Sequence, residues 1–278
     1  MSETNLAYRT WGIREGVPLV LLHGFLGDSG DWETLARNLE NDLYLVAVDL
    51  PGHGKSRDIK VSREKAFEEF SDLLRQTLSQ LDLDRYSMLG YSLGGRLAMS
   101  HLTREGDAVD RLLVESSHPG LEDNAERQAR WKDDQSWAGQ FRTDPLSEVL
   151  QRWYHQPVFA DLNSRERERL MQHRCISNQT QESSSNEVMG SGTSGESLAL
   201  ALEAFSLSQQ PDFWGMLNRS SRASHYFCGE RDLKFQGIAH RLLEMGCFQG
   251  IHEIKEAGHN IHREQPQAMA TIIKQLLL

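Results

Sequence analysis

Ser92, Asp232 and His259 are the residues of this sequence whose types and settings are suited to chemistry. Ser92 lies in Gly90-Tyr91-Ser92-Leu93-Gly94, a Gly-x-Ser-x-Gly pentapeptide. The apolar Tyr86-Ser87-Met88-Leu89 leads in and Arg96-Leu97-Ala98-Met99 follows, which predicts a strand, a sharp turn and a helix. Glycines leave room for that turn, and the turn presents the Ser92 hydroxyl at the sheet edge. Asp232 and His259 each follow a further short apolar run, in Gly229-Glu230-Arg231-Asp232 and Ala257-Gly258-His259. A hydroxyl, an imidazole and a carboxylate brought together make a proton relay. Such a turn also aims the amide of Leu93 at developing negative charge, and the loop His23-Gly24-Phe25 supplies a second donor through Phe25.

Other candidates fit less well. Asp212 precedes the strand that delivers the acid, and Glu230 stands beside Asp232 as a rival. His262 follows His259 by three residues and reads as a surface or supporting side chain. Gly54-Lys55-Ser56 mimics the end of a phosphate-binding loop, but Asp49 stands where that loop needs its first glycine. His252-Glu253 is not followed by a second histidine at zinc-helix spacing, so no metal site is expected.

Something must position these groups, and the periodicity says what. Pro18–Leu22, Leu43–Val48 and Arg111–Glu115 are continuous apolar runs of the kind buried on both faces of a parallel sheet. Helical patterns alternate with them. Phe67, Phe70, Leu74, Leu78 and Leu81 share one face of a helix predicted from about Ser62, and Trp32, Leu35 and Leu39 share another. Pro266 opens a last helix. Alternation of this kind means an α/β fold, a mostly parallel doubly wound sheet with helices on both faces. Residues 121–218 break the rhythm with four helical stretches and no strand, which predicts a helical cap inserted into a core of 1–120 and 219–278. Within the cap, about 178–197 is rich in Ser, Asn, Gln and Gly and reads as a mobile loop.

Composition narrows the partners. The chain has 278 residues, 38% hydrophobic and 25% charged, with a formal net charge of −10. That charge argues against nucleic acid. No apolar run is long enough for membrane insertion, and Cys175, Cys228 and Cys247 read as reduced thiols of a cytoplasmic protein. Between Leu121 and Cys175, nine Arg or Lys nearly balance ten Asp or Glu, so Arg127, Arg130, Arg152 and Arg174 are local cations on an acidic protein. Arg165, Arg167 and Arg169 alternate with Glu166 and Glu168 as on a solvated helix face. Arg96, four residues after Ser92, falls on the first turn of the elbow helix, where a guanidinium is placed to grip a carboxylate.

The Ser…Asp…His order is that of the α/β-hydrolase superfamily. Gly90–Arg96, His118-Pro119-Gly120-Leu121, Trp153-Tyr154-His155-Gln156-Pro157-Val158-Phe159, Cys228–Asp232 and Ala257–Asn260 together resemble the 2-succinyl-6-hydroxy-2,4-cyclohexadiene-1-carboxylate synthase family of menaquinone biosynthesis. The similarity spans nearly the whole chain. It implies a lyase that eliminates pyruvate from a small polycarboxylate without a cofactor. It also implies carboxylate-binding roles for Arg96, Arg130 and Arg174, with Trp153 and Tyr91 in the pocket. The polar 178–197 stretch is the main departure from the family pattern. Fold and triad are shared with serine hydrolases that cleave an ester or a carbon–carbon bond beside a ketone, and with non-catalytic ligand receptors. The first alternative stays open at the level of sequence, and the complete triad speaks against the second.

Overall fold

The computed structural model describes residues 5–179, 194–217 and 222–278. Its elements are β1 (Tyr8–Trp11), β2 (Val17–Leu22), α1 (Glu33–Leu39), β3 (Leu43–Val48), α2 (Ala66–Ser79), β4 (Tyr86–Tyr91), α3 (Leu93–Arg104) and β5 (Val109–Glu115). Five helices follow: α4 (Asn124–Thr143), α5 (Leu146–Trp153), α6 (Ser164–Gln179), α7 (Ser194–Ala204) and α8 (Trp214–Leu217). The chain closes with β6 (Ala223–Gly229), α9 (Leu233–Glu244), β7 (Gly250–Ile254), α10 (Ile261–Glu264) and α11 (Pro266–Leu277).

The strands form one sheet in the order β1-β3-β2-β4-β5-β6-β7. Only β1 runs antiparallel, against β3. Successive residues of each central strand alternate between two cores. Val20, Leu22, Met88, Leu112 and Val114 face the core closed by Phe70 and Leu74 of α2, Leu97 of α3 and Leu242 of α9. Leu19, Leu21, Leu89 and Leu113 face the core closed by Leu35 of α1 and Met269 and Ile273 of α11. That double coverage explains why the strands read as unbroken apolar runs. A third core, with Phe141, Val149, Leu150, Leu198 and Leu202, holds the helices between β5 and β6 together.

The chain passes from β2 outward to β3, then returns to β4 on the other flank of β2. This reversal opens a crevice at the carboxyl ends of β2 and β4, where open α/β sheets bind ligands. Phe25 and Ser92 both follow those ends.

Several elements differ from the sequence reading. β1 was not expected; it is an exposed edge strand with no apolar run. Helix α2 starts at Ala66, because Arg63–Lys65 forms a tighter 3-10 turn, and it ends before Leu81. No strand occurs between 121 and 218 among the described residues. Of the polar 178–197 stretch, residues 178–179 end α6 and 194–197 begin α7, so its ends are helical instead of loop; the rest lies outside the described residues.

Candidate active site

Ser92 sits between β4 and α3 with φ 49° and ψ −109°, a conformation few side chains adopt. The neighbouring glycines make it possible: a Cβ on Gly90 would collide with the Gly94 carbonyl, and one on Gly94 with the Leu22 carbonyl. Three hydrogen bonds clamp the turn. Ser92 N–H donates to the Glu115 carbonyl at 2.9 Å, Arg96 N–H to the Ser92 carbonyl at 3.2 Å, and the Ser117 hydroxyl to that same carbonyl at 2.7 Å. Ser117 is itself gripped by the Tyr226 hydroxyl, which accepts from its N–H at 2.7 Å and donates to its carbonyl at 2.6 Å. The strain is therefore held by β4, β5 and β6 together.

Asp232 follows β6 and His259 follows β7. The His259 Nδ1–H donates to Asp232 Oδ2 at 2.7 Å, and both side chains are buried. That bond leaves Nε2 as the acceptor, the form a general base requires. Ser92, Asp232 and His259 line one cleft of about 1030 Å³. Phe25 and Leu93 border an adjoining inner cavity of about 120 Å³ that Ser92 also lines. Leu93 opens α3, so its amide has no partner within the helix and lies at the positive end of the helix dipole. His23 fixes the Phe25 loop: its Nε2 accepts from Leu50 N–H at 3.0 Å, so Nδ1 carries the proton and donates to the Gly24 carbonyl at 2.7 Å.

The arginines separate into different roles. Arg96 and Arg130 line the inner cavity. Arg96 Nη1 donates to the Phe205 carbonyl at 2.7 Å and to Gln210 at 3.2 Å. Burial, and then the Arg130 charge, push its pKa down to about 9. Arg130 donates Nε to both oxygens of Asp134 at 2.9 Å. Trp153, at the end of α5, lines both cavities and packs on Phe25.

Arg174 and Tyr91 are not where the resemblance put them. Arg174 is buried and donates both terminal nitrogens to Asp31, at 2.6 and 2.7 Å, with Nε on Tyr154 at 3.2 Å. Burial alone would raise the Asp31 carboxyl; Arg174 beside it overrides that and holds it well below the usual carboxylate range. Arg174 lines neither cavity at Ser92. It ties α6 to the turn before α1. Tyr91 is buried behind His259, ring to ring at 5.4 Å, and also lines neither cavity. Arg127 donates to the Ser208 and Gln210 carbonyls, and Arg152 pairs with Asp144, so both are structural.

His262 supports the site from below. Its N–H meets Glu115 at 3.1 Å and its Nδ1–H reaches both carboxylate oxygens at 2.9 Å, with Trp32 and Tyr91 packed at a tilt against the ring. This fully buried pair fastens the His259 segment to the strand whose carbonyl holds Ser92. Asp49 also finds its use: it accepts from the Ser29 and Lys55 amides, which occupies the loop donors that a phosphate-binding loop would offer. Sequence reasoning missed Glu115, Ser116, His118 and Lys234. All but Glu115 line the inner cavity. Lys234 lies two residues after Asp232, and that proximity to a triad residue is the one signal that could have found it.

Comparison with known proteins adds relatives to this geometry. Residues 17–265 match the family model of the alpha/beta hydrolase fold. A 2-succinyl-6-hydroxy-2,4-cyclohexadiene-1-carboxylate synthase from Citrobacter koseri is 42% identical over 96% of both chains. One from Klebsiella pneumoniae is 40% identical over 93% of both. Among solved structures, MenH from S. aureus superposes with a TM-score of 0.82 at 24% identity, covering 100% of this chain and 98% of that one. An enol-lactonase from Burkholderia xenovorans superposes with a TM-score of 0.74 at 19% identity, covering 98% of this chain and 96% of its own, and shares the fold.

Proposed function

The chain belongs to the 2-succinyl-6-hydroxy-2,4-cyclohexadiene-1-carboxylate synthase family, within the alpha/beta hydrolase fold, and from that membership we propose how its residues carry out the family's reaction. The protein is a lyase of menaquinone biosynthesis. It eliminates pyruvate from 2-succinyl-5-enolpyruvyl-6-hydroxy-3-cyclohexene-1-carboxylate. Asp232 holds His259 in the tautomer that accepts a proton at Nε2. His259, acting through Ser92, removes the ring proton next to the succinyl ketone. The electron pair moves onto the ketone oxygen, and the Leu93 and Phe25 amides hold the resulting enolate. As the ketone re-forms, the pair shifts through the ring double bond and breaks the bond to the enolpyruvyl oxygen. Enolpyruvate leaves with that pair, takes up a proton at carbon and becomes pyruvate. No water is consumed and no acyl-enzyme forms.

The observation that carries this reading is a complete triad in a cleft whose Ser92 also lines an adjoining inner cavity walled by Arg96 and Arg130, on a protein of net charge −10. Cations concentrated there offset the long-range repulsion that an acidic protein exerts on an anionic substrate. No described helix is long and apolar enough to cross a membrane, in keeping with a cytoplasmic site of action.

The test is pyruvate release from the enolpyruvyl substrate, run beside a panel of simple esters. The wild-type protein should release pyruvate and leave the esters largely intact. Ser92→Ala and His259→Ala should each lower turnover by roughly 10²–10⁴-fold, with the double variant little worse. Ester turnover without pyruvate release would return the chain to the hydrolases, and multiplying losses would break the relay.

A further inference from the structure

The substrate of this family carries three carboxylates: one on the ring, one on the succinyl arm and one on the enolpyruvyl group. The arginines expected to match them do not all reach the site, because Arg174 is committed to Asp31. The inner cavity nevertheless carries three cations, Arg96, Arg130 and Lys234, and no carboxylate among the described residues lines it.

Lys234 differs from its two companions. Arg96 is braced by the Phe205 carbonyl and Gln210, and Arg130 by Asp134. The Lys234 ammonium lies 5.4 Å from the Phe235 ring centroid, and neither a hydrogen bond nor an ion pair holds it among the described residues. It lines both the inner cavity and the wider cleft, so it stands where the two join. Partial burial, and then the neighbouring Arg130 charge, lower its pKa. Cations crowded in this way repel one another, and an anion placed among them relieves the repulsion.

A second observation marks the same cavity as a polar ligand's place. Ser116 lines it, is fully buried, holds φ at +46°, and its hydroxyl has no partner among the described residues. A buried hydroxyl is ordinarily paired. This one is held in its strained conformation through its own N–H on the Phe227 carbonyl and through the Tyr226 clamp on Ser117. Strain fixed by three neighbours around an unpaired donor points to a ligand.

We propose that Lys234 binds a substrate carboxylate, the third one, at the junction of the inner cavity and the cleft. The inference rests on reading the chain as a polycarboxylate lyase. Arg96 and Arg130 serve the other two carboxylates, and the Ser116 hydroxyl is a further donor on the same wall. Lys234 is a compact charge on a flexible stem, so it can reach a carboxylate without a fixed two-pronged geometry.

The experiment uses calorimetric titration of the enolpyruvyl substrate into full-length Ser92→Ala protein, with and without Lys234→Met or Lys234→Arg. Steady-state pyruvate release by the same Lys234 variants with Ser92 intact accompanies it. Lys234→Met should weaken binding and raise KM by about 10- to 100-fold, the loss of one charge-assisted contact. Its kcat should change little, and the pH profile of kcat should keep its midpoint. Lys234→Arg should recover most of the affinity. Unchanged affinity in Lys234→Met would overturn the proposal. So would unchanged affinity with lower kcat and a displaced pH profile, which would make Lys234 a positioning residue for Asp232. If wild-type protein released no pyruvate, the lyase reading itself would fall, and that control separates the two failures.

Discussion

Arg130 and Arg174 show how much a residue's role depends on what it meets in three dimensions. Both are arginines of the helical insertion, and in sequence they look alike. Arg130 lines the cavity while its Nε holds Asp134. Arg174 is locked onto Asp31, whose position lies 143 residues away in the chain. Breaking a buried pair leaves an uncompensated charge, so Arg174→Ala should cost about 3 kcal/mol of stability, with Arg263 offsetting part of the loss. Arg130→Ala should instead lower kcat/KM by about 10- to 150-fold. Urea unfolding and steady-state kinetics on both variants, with exposed Arg165→Ala as a control, read this out. The reverse pattern, with Arg174→Ala kinetically impaired at normal stability, would return Arg174 to the pocket. Motifs made Ser92, Asp232 and His259 legible because each is marked by its own neighbours. Arg174–Asp31 and Glu115–His262 were not, since spacing says nothing about partners joined only by the fold. Lys234 carries no such mark, because a lysine in the first turn of a helix ordinarily points to water.

Elements were legible where burial is symmetric. The central strands are covered on both faces, which produces the continuous apolar runs that located them. The edge strand β1 is exposed and carries no such signature. Helix α2 had the expected apolar face, but nothing in that face says where a 3-10 turn ends and the α-helix begins. Between α2, β4 and α3 lies a polar joint no periodicity indicates. His101 bonds Ser71 on α2 and the Tyr86 hydroxyl on β4, each at 2.7 Å. Burial, and then Arg104 and Arg75, lower its pKa to about 4, with Asp72 opposing. The folded state thus favours neutral His101, while the unfolded chain protonates it near 6.5. Its stabilisation is complete above pH 6.5 and is lost as pH falls from there toward 4, by an amount on the order of 3 kcal/mol. His101→Gln should be less stable at pH 7 and should show a shallower decline in urea midpoint between pH 6.5 and 4.5. A decline as steep as that of the wild type would remove His101 from the explanation.

At the scale of the whole molecule, one sheet supplies every proposed catalytic position from the carboxyl ends of its strands: Phe25 after β2, Ser92 after β4, Asp232 after β6 and His259 after β7. The helices between β5 and β6 add Arg130 and Trp153 from the other side. This is a hydrolase scaffold, and in the proposed mechanism what makes it a lyase is the substrate that its cations admit and the use of Ser92 as a proton carrier. The most direct test of that use is rapid quench of wild-type protein during turnover of the enolpyruvyl substrate, followed by intact mass measurement. The expected result is an unchanged protein mass at every time while pyruvate accumulates. A substrate-derived adduct on Ser92 that forms and decays at the rate of turnover would contradict it.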